Sequence, residues 1–91
     1  MPNPTPRDAV IVGGARTPFT KLKGAQAALS AVQLGSSAIA GALDRAGVSP
    51  DAVDYVFMGQ VVQGGCGQNP AKQAAIGAGI GWDVPAETLN K

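Results

Sequence analysis

Between Ser30 and Gly47 the chain carries a helix marked at both ends, and that bracket constrains the fold more than any other feature. Ser30 caps the first turn, and Gln33 three residues on completes a capping box in which each side chain accepts from the other's backbone N–H. Gly47 closes the segment as a left-handed residue, with Arg45 in the last turn facing the negative end of the dipole. Val32, Ile39, Leu43 and Ala46 recur at helical spacing, with Gly35 and Ser36 on the same side. The internal Gly35 and Gly41 each cost about 0.5–1 kcal/mol relative to Ala, so they imply close packing against a neighbouring element.

Apolar runs flank this helix. Ala9-Val10-Ile11-Val12, ending at Gly13-Gly14, reads as a buried strand of the type found in parallel sheets covered on both faces. Thr17-Pro18 disfavours helix at Thr17, and Lys21-Leu22-Lys23-Gly24 reads as a surface loop. Ser49-Pro50-Asp51 starts a one-turn helix, and Tyr55-Val56-Phe57-Met58 follows as a strand running towards Val61-Val62. After the glycine-rich stretch from Gln63 to Gln68, Asn69 is an N-cap and Pro70 a first helical residue for a second helix. Ala86 to Leu89 forms a third short strand. The order predicts an α/β unit, β-α-β-α-β, with helices crossing a largely parallel sheet. Strands are expected at 9–14, 54–61 and 86–89 as neighbours in one sheet, with helices at 31–46 and 70–79. Residues 1–8, with Pro2, Pro4 and Pro6, are expected to be an extended lead-in.

The core this pattern would build is made of small residues. Among 91 residues only Phe19, Tyr55, Phe57 and Trp82 are aromatic, and Ala and Gly bury little area at roughly 25 cal/mol per Å². Such a core gains much from a covering partner, the first sign of an incomplete unit. The net charge is +1 with no basic patch, so no nucleic-acid footprint is present. No stretch approaches the roughly 20 apolar residues needed to span a bilayer. The opening residues lack the charged start and apolar run of a secretory signal. Cys66 is the one cysteine and cannot form an internal disulfide, which together with the missing signal points to a cytoplasmic protein.

Few residues suggest chemistry by themselves. Gly13-Gly14-Ala15-Arg16-Thr17 follows a strand, but a dinucleotide fingerprint needs glycines at its first, third and sixth positions opening into a helix. Here the glycines are adjacent and Pro18 stands where the helix would run, so a packed strand end is the better reading. Cys66 lies three residues ahead of the Asn69 cap, near a helix start but not on it. A reactive thiol usually has a base beside it, and the chain has no histidine. Cys66 therefore reads as a small residue in a tight loop. Asp51, Asp54 and Asp83 form no pair at a spacing suited to acid–base work, and no metal-ligand cluster is visible.

Longer blocks say more. Val10-Ile11-Val12-Gly13-Gly14-Ala15-Arg16-Thr17-Pro18-Phe19 resembles the opening of thiolases, and the run from Leu34-Gly35 to Ala46-Gly47-Val48 resembles their first helix. Met58-Gly59-Gln60-Val61-Val62-Gln63 and Gly67-Gln68-Asn69-Pro70-Ala71-Lys72-Gln73-Ala74-Ala75 are similar to the strand, loop and helix that follow. Thr88-Leu89-Asn90-Lys91 matches the lead into the thiolase nucleophile, where one further residue and then the cysteine come next. The blocks stand in order at the right separations, which is far more specific than any one of them.

The resemblance implies a thiolase-like fold, with residues 9–91 forming the first part of an N-terminal half that pairs with a similar second half. It implies acyl transfer through a cysteine thioester, either condensing two acetyl-CoA or cleaving a 3-ketoacyl-CoA with free CoA. It implies coenzyme A thioesters as substrates with no further cofactor, and self-association into a dimer or tetramer. No catalytic residue maps onto this stretch, so the segment alone is expected to be inactive. Gln60 and Gln68 are the site-adjacent positions. Many thiolases carry Asn where Gln60 stands, in the strand near the dimer-related site, and Gln68 aligns with a loop residue near the neighbouring subunit's site. Two alternatives stay open: another condensing enzyme of this fold, such as a ketoacyl synthase, or a stand-alone interaction domain that holds a partner with its glycine-rich loop.

Overall fold

The computed structural model describes residues 8–18, 24, 29–61 and 63–90. The first helix, α1 (Ala31–Ala46), forms between the expected caps. Ser30 Oγ accepts from the Gln33 N–H at 3.1 Å, and Gln33 Oε1 accepts from the Ser30 N–H at 2.8 Å. At the other end Gly47 takes φ 67°, where an L-residue is strained. The Gly47 and Val48 N–H groups donate back to the carbonyls of Asp44 and Leu43 at 3.2 and 3.0 Å, the paired bonds of a Schellman closure. A 3₁₀ turn at Pro50–Ala52, capped by Ser49, then leads into strand β1 (Val56–Gly59). Helix α2 (Pro70–Gly77) and strand β2 (Ala86–Leu89) complete the unit.

β1 and β2 pair in parallel, with Val56 opposite Ala86 and Gly59 opposite Leu89. Parallel neighbours cannot be joined by a tight turn, and α2 is their crossover. The period of two sorts the sheet cleanly. Val56 is buried and Met58, Ala86 and Thr88 are half-buried, on the side facing α2, whereas Tyr55, Phe57, Glu87 and Leu89 are exposed on the other. The buried core is Val56, Ala71, Ala74, Ala75 and Ile80, with Ile39, Leu43, Val53 and Val84 packed around it. Alanine dominates it, as the composition implied.

Small residues also set the α1–α2 contact. A Cβ on Gly35 would come within 2.9 Å of the Met58 methyl and 3.2 Å of Ala74 Cβ, and one on Gly41 within 3.3 Å of Ala15 Cβ. The Ser36 hydroxyl donates across the helix pair to the Ala74 carbonyl at 2.9 Å. A methyl on Gly77 would lie 2.3 Å from Ser36 Oγ and 3.2 Å from its Cβ. Overpacking of this kind costs about 1–3 kcal/mol, more than the roughly 0.5–1 kcal/mol that alanine gains over glycine in a helix. Gly77→Ala is therefore expected to lower stability in urea denaturation, and Ser36→Ala to recover most of the loss. A neutral Gly77→Ala would mean that the helices are not held this close.

Two expectations need correction. Residues 9–14 do not form a strand: the described sheet has two strands, and Val10, Ile11 and Val12 are exposed, Ile11 by 97%. A β-branched run of this type is stable as a strand only with a backbone partner and apolar cover, and among the described residues it has neither. This stretch lies against helix α1, where a Cβ on Gly13 would meet Ala46 Cβ at 2.9 Å. The observed order is thus α-β-α-β after an extended start. The second correction concerns boundaries. β1 is shorter than 54–61, although the Gln60 N–H still donates to the Leu89 carbonyl at 2.8 Å. α2 ends at Gly77, before the Gly79 that takes φ 96°. Residues 1–7 of the expected lead-in, the surface loop at 21–23, Val62 and Lys91 lie outside the described residues.

Candidate functional site

The structure brings Gln60 and Gln68, the two positions expected to lie beside a site, to the two ends of the loop that joins β1 to α2. Gln60 is half-buried at the end of β1, and Gln68 is exposed just ahead of α2. Gly65 and Gly67 both take φ 76°, which leaves those two positions little alternative to glycine. Three glutamine side chains brace the turn. Gln60 Nε2 donates to Cys66 Sγ at 3.1 Å, and Gln63 Nε2 donates to the Gln60 carbonyl at 2.8 Å. Gln73 Nε2 donates to the carbonyls of Cys66 and Gln68, both at 2.8 Å. The longer amide of Gln60, compared with Asn, is what reaches the Cys66 sulfur.

At the start of α2, Asn69 takes φ 42°, a left-handed conformation that Asn tolerates better than most residues. Its Oδ1 accepts from the Lys72 N–H at 3.3 Å and from the Thr88 hydroxyl at 2.8 Å, while Nδ2 donates to the Ala86 carbonyl at 3.1 Å. Thr88 Oγ1 in turn accepts from the Ala71 N–H at 3.0 Å. The first turn of α2 is thereby fastened to β2. Lys72 Nζ donates to the carbonyls of Trp82 and Val84, tying the helix to the turn before β2. Beside the loop lies an open groove of about 560 Å³ lined by Val32, Gln68, Ile76 and Trp82 among others.

Cys66 is half-buried and free of any disulfide. Its sulfur accepts from Gln60 and faces the Gly64 carbonyl at 3.9 Å, and no histidine exists to act as its base. The structure places it as the sequence implied, in a tight turn. Asp51, Asp54 and Asp83 come to the rim of a separate cavity of about 420 Å³. Among the described residues no three His, Cys, Asp or Glu side chains group as metal ligands. The described chain thus offers a braced glycine loop rather than a nucleophile–base pair.

The family described as "Thiolase, N-terminal domain" matches residues 9–91. The chain belongs to the thiolase family. It is 59% identical over 83 residues to the "Probable acetyl-CoA acetyltransferase" of Mycobacterium tuberculosis, and 54% identical over 84 residues to the "Acetyl-CoA acetyltransferase" of Cupriavidus necator. These matches cover 91% and 92% of this chain and 21% of each relative. Its structure superposes on the Acat5 thiolase of Ascaris suum, solved in complex with coenzyme A, with a TM-score of 0.86 and 32% identity, over 89% of this chain and 21% of that one. The chain spans about a fifth of the length of the thiolases it matches.

Within this thiolase chain, sequence reasoning missed the residues that do most of the bracing, Gln73 and Thr88. A helical side chain leans towards the N-terminus and covers the turn before its own Cα. Gln73, one turn into α2, is therefore aimed back over the loop, and that direction was the available signal. Thr88 had no local signal, because its partners Ala71 and Asn69 lie 17 and 19 residues away.

Proposed function

We propose that this chain is the N-terminal segment of a longer acetyl-CoA acetyltransferase that transfers an acyl group through a cysteine thioester. In one direction the enzyme condenses two acetyl-CoA to acetoacetyl-CoA and CoA; in the other it cleaves a 3-ketoacyl-CoA with free CoA. The observation that carries this reading is the family match across residues 9–91, joined by relatives named for this activity at 54–59% identity. It favours thiolase over the ketoacyl synthase alternative. The substrates are coenzyme A thioesters, and the binding of coenzyme A by the Ascaris suum thiolase supports that class. Gln60 and Gln68 border the acyl-CoA site through the loop they bound, and further copies of the longer protein complete the assembly as a dimer or tetramer. A role in fatty acid metabolism and a cytoplasmic location belong to the same proposal, the latter supported by a single, unpaired cysteine.

On this reading the nucleophile is a cysteine beyond Lys91, and Cys66 is not part of the chemistry. Its sulfur accepts from Gln60 and meets the Gly64 carbonyl, contacts internal to the turn. Cys66→Ala in the longer protein is expected to keep acetoacetyl-CoA thiolysis within about threefold. Removing a nucleophile or an acid–base group costs about a hundredfold or more. A loss on that scale, measured at saturating CoA, would make Cys66 catalytic and overturn the assignment.

A further inference from the structure

We propose that Gln73 is the positioning residue of the loop carrying Gln68, its side-chain amide holding the Cys66 and Gln68 carbonyls in the geometry that the acyl-CoA site uses. The proposal rests on the reading above that loop 63–68 borders that site. Its geometric content stands apart from it.

The two carbonyls held by Gln73 flank Gly67, so the amide bridges the residue at φ 76° from both sides. A Cβ on Gly67 would lie 3.0 Å from Gln73 Nε2, so the clamp and the glycine fit each other. Both amide hydrogens of Gln73 have acceptors at 2.8 Å, which fixes the rotamer as well as the loop. The anchor is rigid, because the Gln73 N–H is bonded to the Asn69 carbonyl and the neighbouring Ala71, Ala74 and Ala75 are buried. The remaining braces act earlier in the loop. The Cys66 N–H donates to the Gln63 carbonyl at 3.2 Å, and Gln60 and Gln63 tie residues 60–66 together. Gln73 extends the hold to Gln68. A loop held this way meets its ligand without first being ordered, so the clamp acts on binding more than on the chemical step.

Gln73→Met keeps the length of the side chain and removes both donors. In the longer protein it is expected to raise KM for acetoacetyl-CoA about tenfold while kcat stays within about threefold, the pattern of lost uniform binding. Amide hydrogen exchange at Cys66 and Gly67 should quicken about tenfold while the amides inside α2 keep their protection. Gly67→Ala, which displaces the clamp from the loop side, should give the same KM rise if Gln73→Met fails to fold. Ser36→Ala loosens the α1–α2 contact without touching the loop, and should lower stability but leave KM within twofold. An unchanged KM in folded Gln73→Met, or an equal KM rise in Ser36→Ala, would overturn the proposal, as would unaltered loop exchange. If the unsubstituted longer protein neither cleaves acetoacetyl-CoA nor becomes acylated, the functional reading fails, and the exchange measurement decides the clamp alone.

Discussion

Replacing Asn69 with alanine is expected to destabilise the protein by about 2–4 kcal/mol, more than any other single polar substitution considered above. Three losses combine. The cap on the Lys72 N–H disappears, which costs about 0.5–2 kcal/mol. Alanine is then forced into the left-handed conformation at φ 42°, at roughly 1–2 kcal/mol. The bonds to Thr88 and to the Ala86 carbonyl also go, each contributing about 0.5–1.5 kcal/mol. These terms overlap and do not add in full, hence the range. Asn69→Gly relieves the backbone term and should cost about half as much. Thr88→Val removes the hydroxyl shared by Ala71 and Asn69, so a double-mutant cycle between positions 69 and 88 should show coupling of at least about 0.5 kcal/mol. Denaturation midpoints of the four proteins measure this directly. Additive effects, or an Asn69→Ala loss below about 0.5 kcal/mol, would mean that the junction does not fasten α2 to β2.

That junction also shows where reading the sequence succeeds and where it stops. α1 was legible to the residue because its signals are local: Ser30 with Gln33 at one end and Gly47 at the other act within a single turn. β2 was legible as the short run Ala86 to Leu89 set off by the turn residues up to Pro85, although its polarity does not alternate, since Leu89 shares the exposed face with Glu87. The Asn69 cap and Pro70 were legible for the same local reason. What Asn69 does beyond capping was not, since its bonds to Ala86 and Thr88 cross 17 and 19 residues and leave no periodic trace. The run at Val10 to Val12 failed differently. Its side chains describe a strand, but strand formation is decided by a neighbour, and the described residues present α1 instead. Gln60 and Gln68 were singled out through resemblance alone. The brace from Gln73 needed the direction of a helical side chain, which spacing does not reveal.

The isolated 91-residue chain is expected to show no acyltransferase activity, whereas the longer protein that contains it should be acylated and turn over. The chain has no histidine to serve as a base, and its one cysteine is engaged with Gln60 in a glycine turn. Without a nucleophile and its base the isolated chain forgoes at least about a thousandfold in rate. Its surface argues the same way. Ile11, Trp82 and Phe57 are 97%, 77% and 64% exposed, and Tyr55 stacks on Phe57 with ring centroids 4.6 Å apart on the uncovered face of the sheet. Apolar area of this kind calls for a cover, so the isolated chain should be marginally stable or self-associate. The comparison uses both purified proteins, assayed for CoA-dependent cleavage of acetoacetyl-CoA and, by intact mass and peptide mapping, for a covalent acyl group. Acylation of the isolated chain at Cys66 with repeated turnover would sink the expectation. So would a longer protein that folds but cannot be acylated, because the chain would then share the thiolase fold without the thiolase reaction.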